Sequence, residues 1–493
     1  MKKTFNVSRT MSTQHPDNVR APFFADSSII AGDDEIKEAF HTFSHLDSKE
    51  QLWDFEGKQV DNFVVKKLLS KYEPFFRKHK LGKDFILSLR VPNPEIEKDE
   101  SKILLETLES IPRNYDIARK FYGEDIAPIF EVMQPMTTNV ESLIRIANYY
   151  EKLIVKKENW RLFAHDKPIS DWIGTFNPKK IRVTPLFESK EAILNSALIT
   201  KQFIEKKKIK DYQRVWFARS DPAINYGSLS AVLINKIGFQ RLHKLEEKTS
   251  VEILPIIGCG SAPFRGNLKP TNVENNLADY PSVQTYTIQS AFKYDYPEDV
   301  VVKGVKKLNE TKRKAPNFID AKKALAIINK TSKEFQKQMF ALAPLINEFT
   351  EHIPKRRERK LHIGLFSYAR KTKGIVLPRA IPFCASLYSF GLPPELLGLN
   401  ALNSKDYDFI RDNYINFDQD MSDSLMYLNK DNLKFFPSWL IRKIKPVFKE
   451  FNFETNSKHK TVSKIILNDY KKRNTVSLGE NIMRAGSIRG FLG

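Results

Sequence analysis

Short apolar runs that finish on a charged or polar side chain, separated by helix-length amphipathic stretches, constrain this chain more than any other feature. The runs are LWDFEG (52–57), FILSLRVP (85–92), IFEVMQPM (129–136), IRVTPLFE (181–188), RVWFARSD (214–221), VEILPIIGCGS (251–261), VQTYTIQSAF (283–292) and LHIGLFSYAR (361–370). Between most of them lie stretches such as NVESLIRIANYYEKLIV, SKEAILNSALITKQFIEKK and SLSAVLINKIGFQRLHKLEEK, apolar at helical spacing. Strands alternating with helices predict a parallel sheet, and eight of them predict an α/β fold, a (β/α)8 TIM-like barrel with additional α-helices. Residues 1–315 would hold most of the barrel and an N-terminal segment carrying His15. Residues 316–493 read as a helix-rich part that includes the last strand (361–370), with PNFIDAKKALAIINKTSKEFQKQMFALAPLINEFTEHI as one or two long helices. No repeat or low-complexity linker divides the chain, so residues 1–493 read as one compact unit.

Composition narrows the class. Hydrophobic residues form 41% of 493 residues, enough for a large core, yet no run of eighteen apolar residues occurs, so no membrane span is expected. The N-terminus has the charge of a signal peptide without its apolar stretch. Two cysteines, Cys259 and Cys384, far apart in sequence, argue for a reducing compartment and a cytoplasmic protein. The net charge of +21 raises nucleic acid as a partner. The lysines are spread over the whole chain without stacking aromatics or zinc spacing, so a lysine-rich solvated surface is the better reading, and no nucleic-acid partner is expected. Such charge also draws anionic substrates inward.

In barrels of this kind the active site lies at the C-terminal strand ends. Arg90, Glu131, Glu188, Asp221 and Arg370 fall at or near such ends in this reading. Glu188 and Asp221, on successive strands, suit Mg²⁺ or Mn²⁺ with water, or else cap two strand–helix junctions. In GCGSAPFRGNLKP (258–270), Gly258, Gly260 and Gly266 allow backbone N–H groups to converge on an anion, with Arg265 adding a charged fork. No Gly-Lys-Ser/Thr follows, which excludes a Walker loop. Pro378 and Pro382 bracket Arg379, and arginine suits bidentate recognition of phosphate or carboxylate, although each of these arginines is equally compatible with a structural ion pair. Near the start, TMSTQHPDN places His15 before Pro16, in a loop or strand end rather than a helix. Four arginines, two carboxylates and a histidine imply an acidic, phosphorylated small substrate and a divalent metal.

The motifs MSTQHPDN, FEVMQPMT, GCGSAPFRG, QSAFKYD and PRAIPFCASLYSFGLPPELLG, in this order, resemble the archaeal-type phosphoenolpyruvate carboxylases, and the resemblance runs from residue 11 to the C-terminal MRAGSIRGFLG. It implies condensation of phosphoenolpyruvate with bicarbonate to oxaloacetate and phosphate, dependence on Mg²⁺ or Mn²⁺, and a homotetramer built as a dimer of dimers. It implies that His15 is the catalytic histidine, Glu188 and Asp221 the metal ligands, and Arg265 the loop arginine. Arg379 would hold the substrate phosphate, with Arg90 and Arg370 matching less closely. Two departures stand out. The longer bacterial and plant members carry a further arginine in the glycine-rich loop where this chain has Cys259, and their Arg-Asn-Thr-Gly ending is replaced by Arg489-Gly490-Phe491-Leu492-Gly493. The resemblance further implies attack of bicarbonate on phosphorus, giving carboxyphosphate and pyruvate enolate, with His15 removing the carboxyphosphate proton. Two other readings stay open: another Mg²⁺-dependent barrel lyase or mutase acting on phosphoenolpyruvate or a 2-oxo acid, and a basic nucleic-acid-binding protein.

Overall fold

The computed structural model describes residues 7–58, 60–98, 101–358 and 377–493. Eight strands, β1 (Thr10–Ser12), β2 (Glu50–Asp54), β3 (Ile86–Arg90), β4 (Ile129–Gln134), β5 (Arg182–Phe187), β6 (Tyr212–Ala218), β7 (Glu252–Gly258) and β8 (Thr285–Ile288), close into a barrel in sequence order. Every pairing is parallel, and β1 completes the ring by pairing Met11 with Glu50 of β2 and Thr287 of β8. The barrel expected from the alternation is therefore present. Seven of the eight expected runs carry a barrel strand, although their ends shift by a few residues.

The remaining member is a correction. Thr10–Ser12 occupies the place between β8 and β2, and at three residues it is too short to leave a hydrophobic run in the sequence. Segment 361–370, expected as the last strand, lies outside the described residues.

Local chemistry explains the helices between the strands. Ser189 caps the helix Lys190–Lys207 by accepting the Ala192 N–H at 3.2 Å. Asp320 caps the single 30-residue helix Ala321–Thr350, accepting from the Lys322 and Lys323 N–H groups at 2.9 and 3.1 Å. Such caps satisfy donors that a helix leaves unpaired at its start. That long helix packs on the barrel helix Ser228–Thr249, and further helices at 404–413, 417–425, 457–471 and 475–489 complete the C-terminal part. Among the described residues no helix is long and apolar enough to cross a membrane.

The barrel interior is layered, because alternate residues of a strand share a face. In β2 the series is Glu50, Leu52, Asp54; in β5 it runs Thr184, Leu186 and on to Glu188; in β6 it is Arg214, Trp216, Ala218. The lowest layer is ionic. Arg214 donates to Glu50 at 2.9 and 2.8 Å, to Glu131 at 2.9 Å and to the Thr285 hydroxyl at 3.2 Å. Ser88 and Thr184 donate to the same two carboxylates. Glu131 thus lies inside β4, bound to Arg214, and not at a strand end facing a site. A polar residue that faces a barrel interior looks, in sequence, like the end of a strand. Above this layer Met11, Leu52, Met133, Leu186, Trp216, Ala218 and Ile256 form an apolar plug. The plug separates this ionic layer from the C-terminal mouth.

Candidate active site

The residues just past the strands build the mouth. From β2, Asp54 and the following Glu56 collect cations. Asp54 accepts two bonds from Arg90 at the end of β3, Nε to Oδ1 at 2.7 Å and Nη2 to Oδ2 at 2.6 Å. It also accepts from Lys58 Nζ, and both side chains of that pair are buried. Glu56 places Oε2 at 2.8 Å from Arg90 Nε and Oε1 at 3.5 Å from Arg379 Nη2. Bidentate pairing fixes the plane of a guanidinium as well as its position. Two acids thus hold three cations, one of them half-buried Arg379 at the start of the helix Ala380–Ser389.

β1 delivers His15 to the same mouth. Past Ser12 the chain stays pinned: the Thr13 N–H donates to the Ile288 carbonyl at 3.1 Å, and Gln14 Oε1 accepts the Asp54 N–H at 2.8 Å. His15 therefore sits at a strand end, as its proline neighbour implied. Burial, followed by the charges of Arg265, Lys58, Arg90 and Arg379, holds its pKa well below the ordinary 6.5. Each of these effects disfavours the imidazolium, so the ring is neutral at physiological pH.

Arg265 approaches from the loop after β7 and is buried. Its Nη1 donates to the Gly493 backbone oxygen at 2.6 Å, its Nε to Ser220 Oγ at 3.3 Å, and its Nη2 to Gln289 Oε1, with Asp17 Oδ2 at 3.5 Å. The loop glycines act differently from the anion nest expected of them. The Gly260 N–H donates to the Arg265 carbonyl at 2.9 Å and the Gly266 N–H to the Pro263 carbonyl at 3.1 Å, so both donors are spent inside the loop. Their contribution is space. A Cβ on Gly260 would lie 2.6 Å from Arg265 Cζ, and one on Gly266, at φ +120°, would lie 2.7 Å from Cys259 Sγ. Gly258, the last residue of β7, pairs with Ala218. Cys259 is buried beneath this turn.

Glu188 directly follows β5, whereas Asp221, expected at a strand end, lies in the first turn of the helix Ser220–Tyr226 that follows β6. The register pairs Phe187 with Phe217, and neighbouring strands lie about 4.8 Å apart. Glu188 shares the inward face of Thr184 and Leu186, and its Oε2 accepts the Met136 N–H at 3.0 Å. Both residues are partly exposed. No group of three or more potential metal-ligating side chains occurs among the described residues.

Comparisons with known proteins give the family. The family model described as phosphoenolpyruvate carboxylase matches residues 7–493. A phosphoenolpyruvate carboxylase of Methanospirillum hungatei is 49% identical over 487 residues, covering 99% of this chain and all of that protein. Those of Methanothermobacter thermautotrophicus and Pyrococcus abyssi are each 48% identical, with the same coverage. The chain belongs to the phosphoenolpyruvate carboxylase family.

Of the residues singled out in the sequence, His15, Arg90, Arg265 and Arg379 are brought together at the mouth of this phosphoenolpyruvate carboxylase family member. Glu188 and Asp221 stand on its β5–β6 side. Arg370 lies outside the described residues. The sequence reading missed Asp54, Glu56, Lys58, Gln289 and Thr13. For the first three a signal was present: WDFEGK carries two acids and a lysine at alternate positions, the spacing that keeps side chains on one face of extended chain. Gln289 and Thr13 left no such signal, because Gln289 acts through Arg265 from the loop after β7 and Thr13 is held by Ile288 of β8, far away in sequence.

Proposed function

We infer that the chain carboxylates phosphoenolpyruvate with bicarbonate, giving oxaloacetate and inorganic phosphate, as a carboxy-lyase. The observation that carries this reading is the convergence of Arg90, Lys58, Arg265 and Arg379 on a His15 held neutral. A substrate bearing phosphate and carboxylate meets fixed positive charge there, and a neutral imidazole is ready to accept a proton.

The proposed chemistry begins with bicarbonate oxygen attacking the phosphorus. The bond from phosphorus to the enol oxygen breaks, leaving carboxyphosphate and the enolate of pyruvate. Arg90 and Arg379, oriented by Asp54 and Glu56, hold the phosphate during this transfer, and Arg265 holds the carboxyphosphate. His15 removes the proton of carboxyphosphate, which splits into carbon dioxide and phosphate. The enolate carbon then bonds to carbon dioxide, forming oxaloacetate. Water has to be excluded, since a proton reaching the enolate gives pyruvate instead.

Glu188 and Asp221 fit a hard divalent cation. One carboxylate follows β5 and the other opens the helix after β6, and Mg²⁺ is commonly held by one or two carboxylates with water and substrate oxygens. We propose that they hold Mg²⁺ or Mn²⁺, which when bound would neutralise charge developing on substrate oxygens. We also propose a homotetramer. Trp160, Leu162, Phe163, Trp172 and Ile173 are exposed on one short segment, and a cluster of exposed apolar side chains marks a surface that another subunit can cover. Light scattering at the mass of a monomer would remove the tetramer.

The test of function combines phosphoenolpyruvate, a divalent cation and bicarbonate. Malate dehydrogenase and NADH report oxaloacetate, and phosphate is counted separately. One oxaloacetate for each phosphate, dependent on bicarbonate, is the expected result, with His15→Asn releasing phosphate but making little oxaloacetate. Phosphate without oxaloacetate in the parent protein would overturn the reading.

A further inference from the structure

His15 makes a 2.7 Å contact between its Nδ1 and the hydroxyl oxygen of Thr13. Thr13 is completely buried and is held independently of that contact. Its N–H donates to the Ile288 carbonyl at 3.1 Å, and its own carbonyl accepts from Lys293 Nζ at 2.7 Å. Lys293 is in turn bound to Glu38 at 2.6 Å, and Glu38 to Arg357 at 2.6 Å. The peg is rigid before the histidine leans on it.

The hydroxyl has one hydrogen and two acceptor lone pairs. Its oxygen also lies 3.4 Å from the Ile288 carbonyl oxygen, an atom that can only accept. With the hydrogen given to that carbonyl, the hydroxyl oxygen faces His15 as an acceptor, and Nδ1 must carry the ring proton. The charged groups acting most strongly on the ring are Arg265, Lys58, Arg90 and Arg379, all cations. They favour a lone pair on the imidazole over an N–H donor on the side facing them.

We propose that Thr13 is a positioning residue that fixes neutral His15 as the Nδ1–H tautomer, leaving Nε2 unprotonated as the proton acceptor. Which ring nitrogen is free is set by the hydrogen bond the other one makes, and here that bond belongs to a threonine. Its consequence for rate rests on the carboxylase reading. The tautomer itself does not.

The test is therefore in two parts. Protein labelled with ¹⁵N in its imidazoles is compared by NMR with Thr13→Val, Thr13→Ser and, to assign the signal, His15→Asn. In the parent, His15 should show a protonated Nδ1 and a bare Nε2. Thr13→Val, which removes the hydroxyl while keeping the shape, should shift the ring towards the Nε2–H form, and Thr13→Ser should restore the parent pattern. In the coupled assay, Thr13→Val should lower the ratio of oxaloacetate to phosphate by about tenfold or more with KM for phosphoenolpyruvate little changed, since a wrong tautomer can cost a catalytic imidazole up to about 10⁴-fold. Thr13→Ser should recover that ratio. An Nε2–H ring in the parent overturns the proposal, as does a Thr13→Val protein with parent tautomer and parent ratio. If the parent makes no oxaloacetate, the carboxylase reading falls and the spectra still decide the tautomer.

Discussion

The Arg90 guanidinium closes two bonds of 2.7 and 2.6 Å on the Asp54 carboxylate, with both side chains almost wholly buried at the barrel mouth. Asp54 also holds Lys58, so one carboxylate orients two of the cations around His15. An arginine that waits in a fixed plane loses little freedom when phosphate arrives. Asp54→Asn keeps the shape and removes the charge. The expected result is a KM for phosphoenolpyruvate raised about tenfold or more, together with a loss of stability of about 3–5 kcal/mol as two buried cations lose a partner. Steady-state kinetics and urea unfolding check the two effects separately, and an unchanged KM would show that Arg90 and Lys58 are structural cations.

Gly260 offers a sharper probe of Arg265. A methyl group there would meet Arg265 Cζ at 2.6 Å and both terminal nitrogens at 2.9 Å, so Gly260→Ala has to push the guanidinium off its bonds to Gln289 and the Gly493 oxygen. Oxaloacetate formation should fall about 10²-fold, the loss typical of one misplaced charge-stabilising donor. Gly479, inside the helix Thr475–Arg489, has nothing within 4 Å of an added Cβ. Gly479→Ala should leave kcat at the parent value and stabilise the helix by about 0.5–1 kcal/mol.

Much of this molecule was legible in its sequence, for identifiable reasons. Glu188 stands directly after an apolar run, and Asp221 follows one after Arg219 and Ser220, so the ends of the runs pointed to both. His15 was marked by the proline that follows it. Thr10–Ser12 was hidden because three residues cannot show a period. Glu131 misled because Arg214, its partner inside the barrel, is 83 positions away in sequence. Asp54 and Glu56 close an apolar run in the sequence, which does not show that Arg90 and Arg379, from other segments, converge on them. What the sequence withheld was in each case a relation between strands, and strand pairing is not written in any one stretch.

His459 provides a pH prediction away from the mouth. Its Nε2 lies 3.0 Å from Arg489 Nη1, so that nitrogen must accept and the ring stays neutral. Burial first, and Arg489 second, depress its pKa from 6.5 to about 2. The unfolded chain takes up a proton near pH 6.5 that the folded one refuses, so stability is full above that pH and falls as pH decreases. Between pH 7.5 and 5.5 this one residue should remove about 1.4 kcal/mol. Urea unfolding of His459→Gln should show a pH dependence smaller by that amount. An equal dependence in the variant would mean that His459 is protonated in the folded protein.

Glu188, just after β5, and Asp221, in the helix after β6, are the proposed metal ligands. Glu188 directly follows β5 and accepts the Met136 N–H through Oε2, whereas Asp221 lies in the first turn of the helix Ser220–Tyr226. Two ligands of unlike setting should contribute unequally. Binding of Mn²⁺ followed by its electron paramagnetic resonance, without substrate, separates affinity from catalysis. Glu188→Gln and Asp221→Asn should each weaken Mn²⁺ by about tenfold or more, as loss of a hard oxygen donor requires. The double variant should bind no more tightly than buffer controls. If both single variants keep parent affinity, the pair caps its strand–helix junctions and the cation is held elsewhere. If only Asp221→Asn matters, Glu188 serves to hold the Met136 turn in its left-handed conformation at φ +50°.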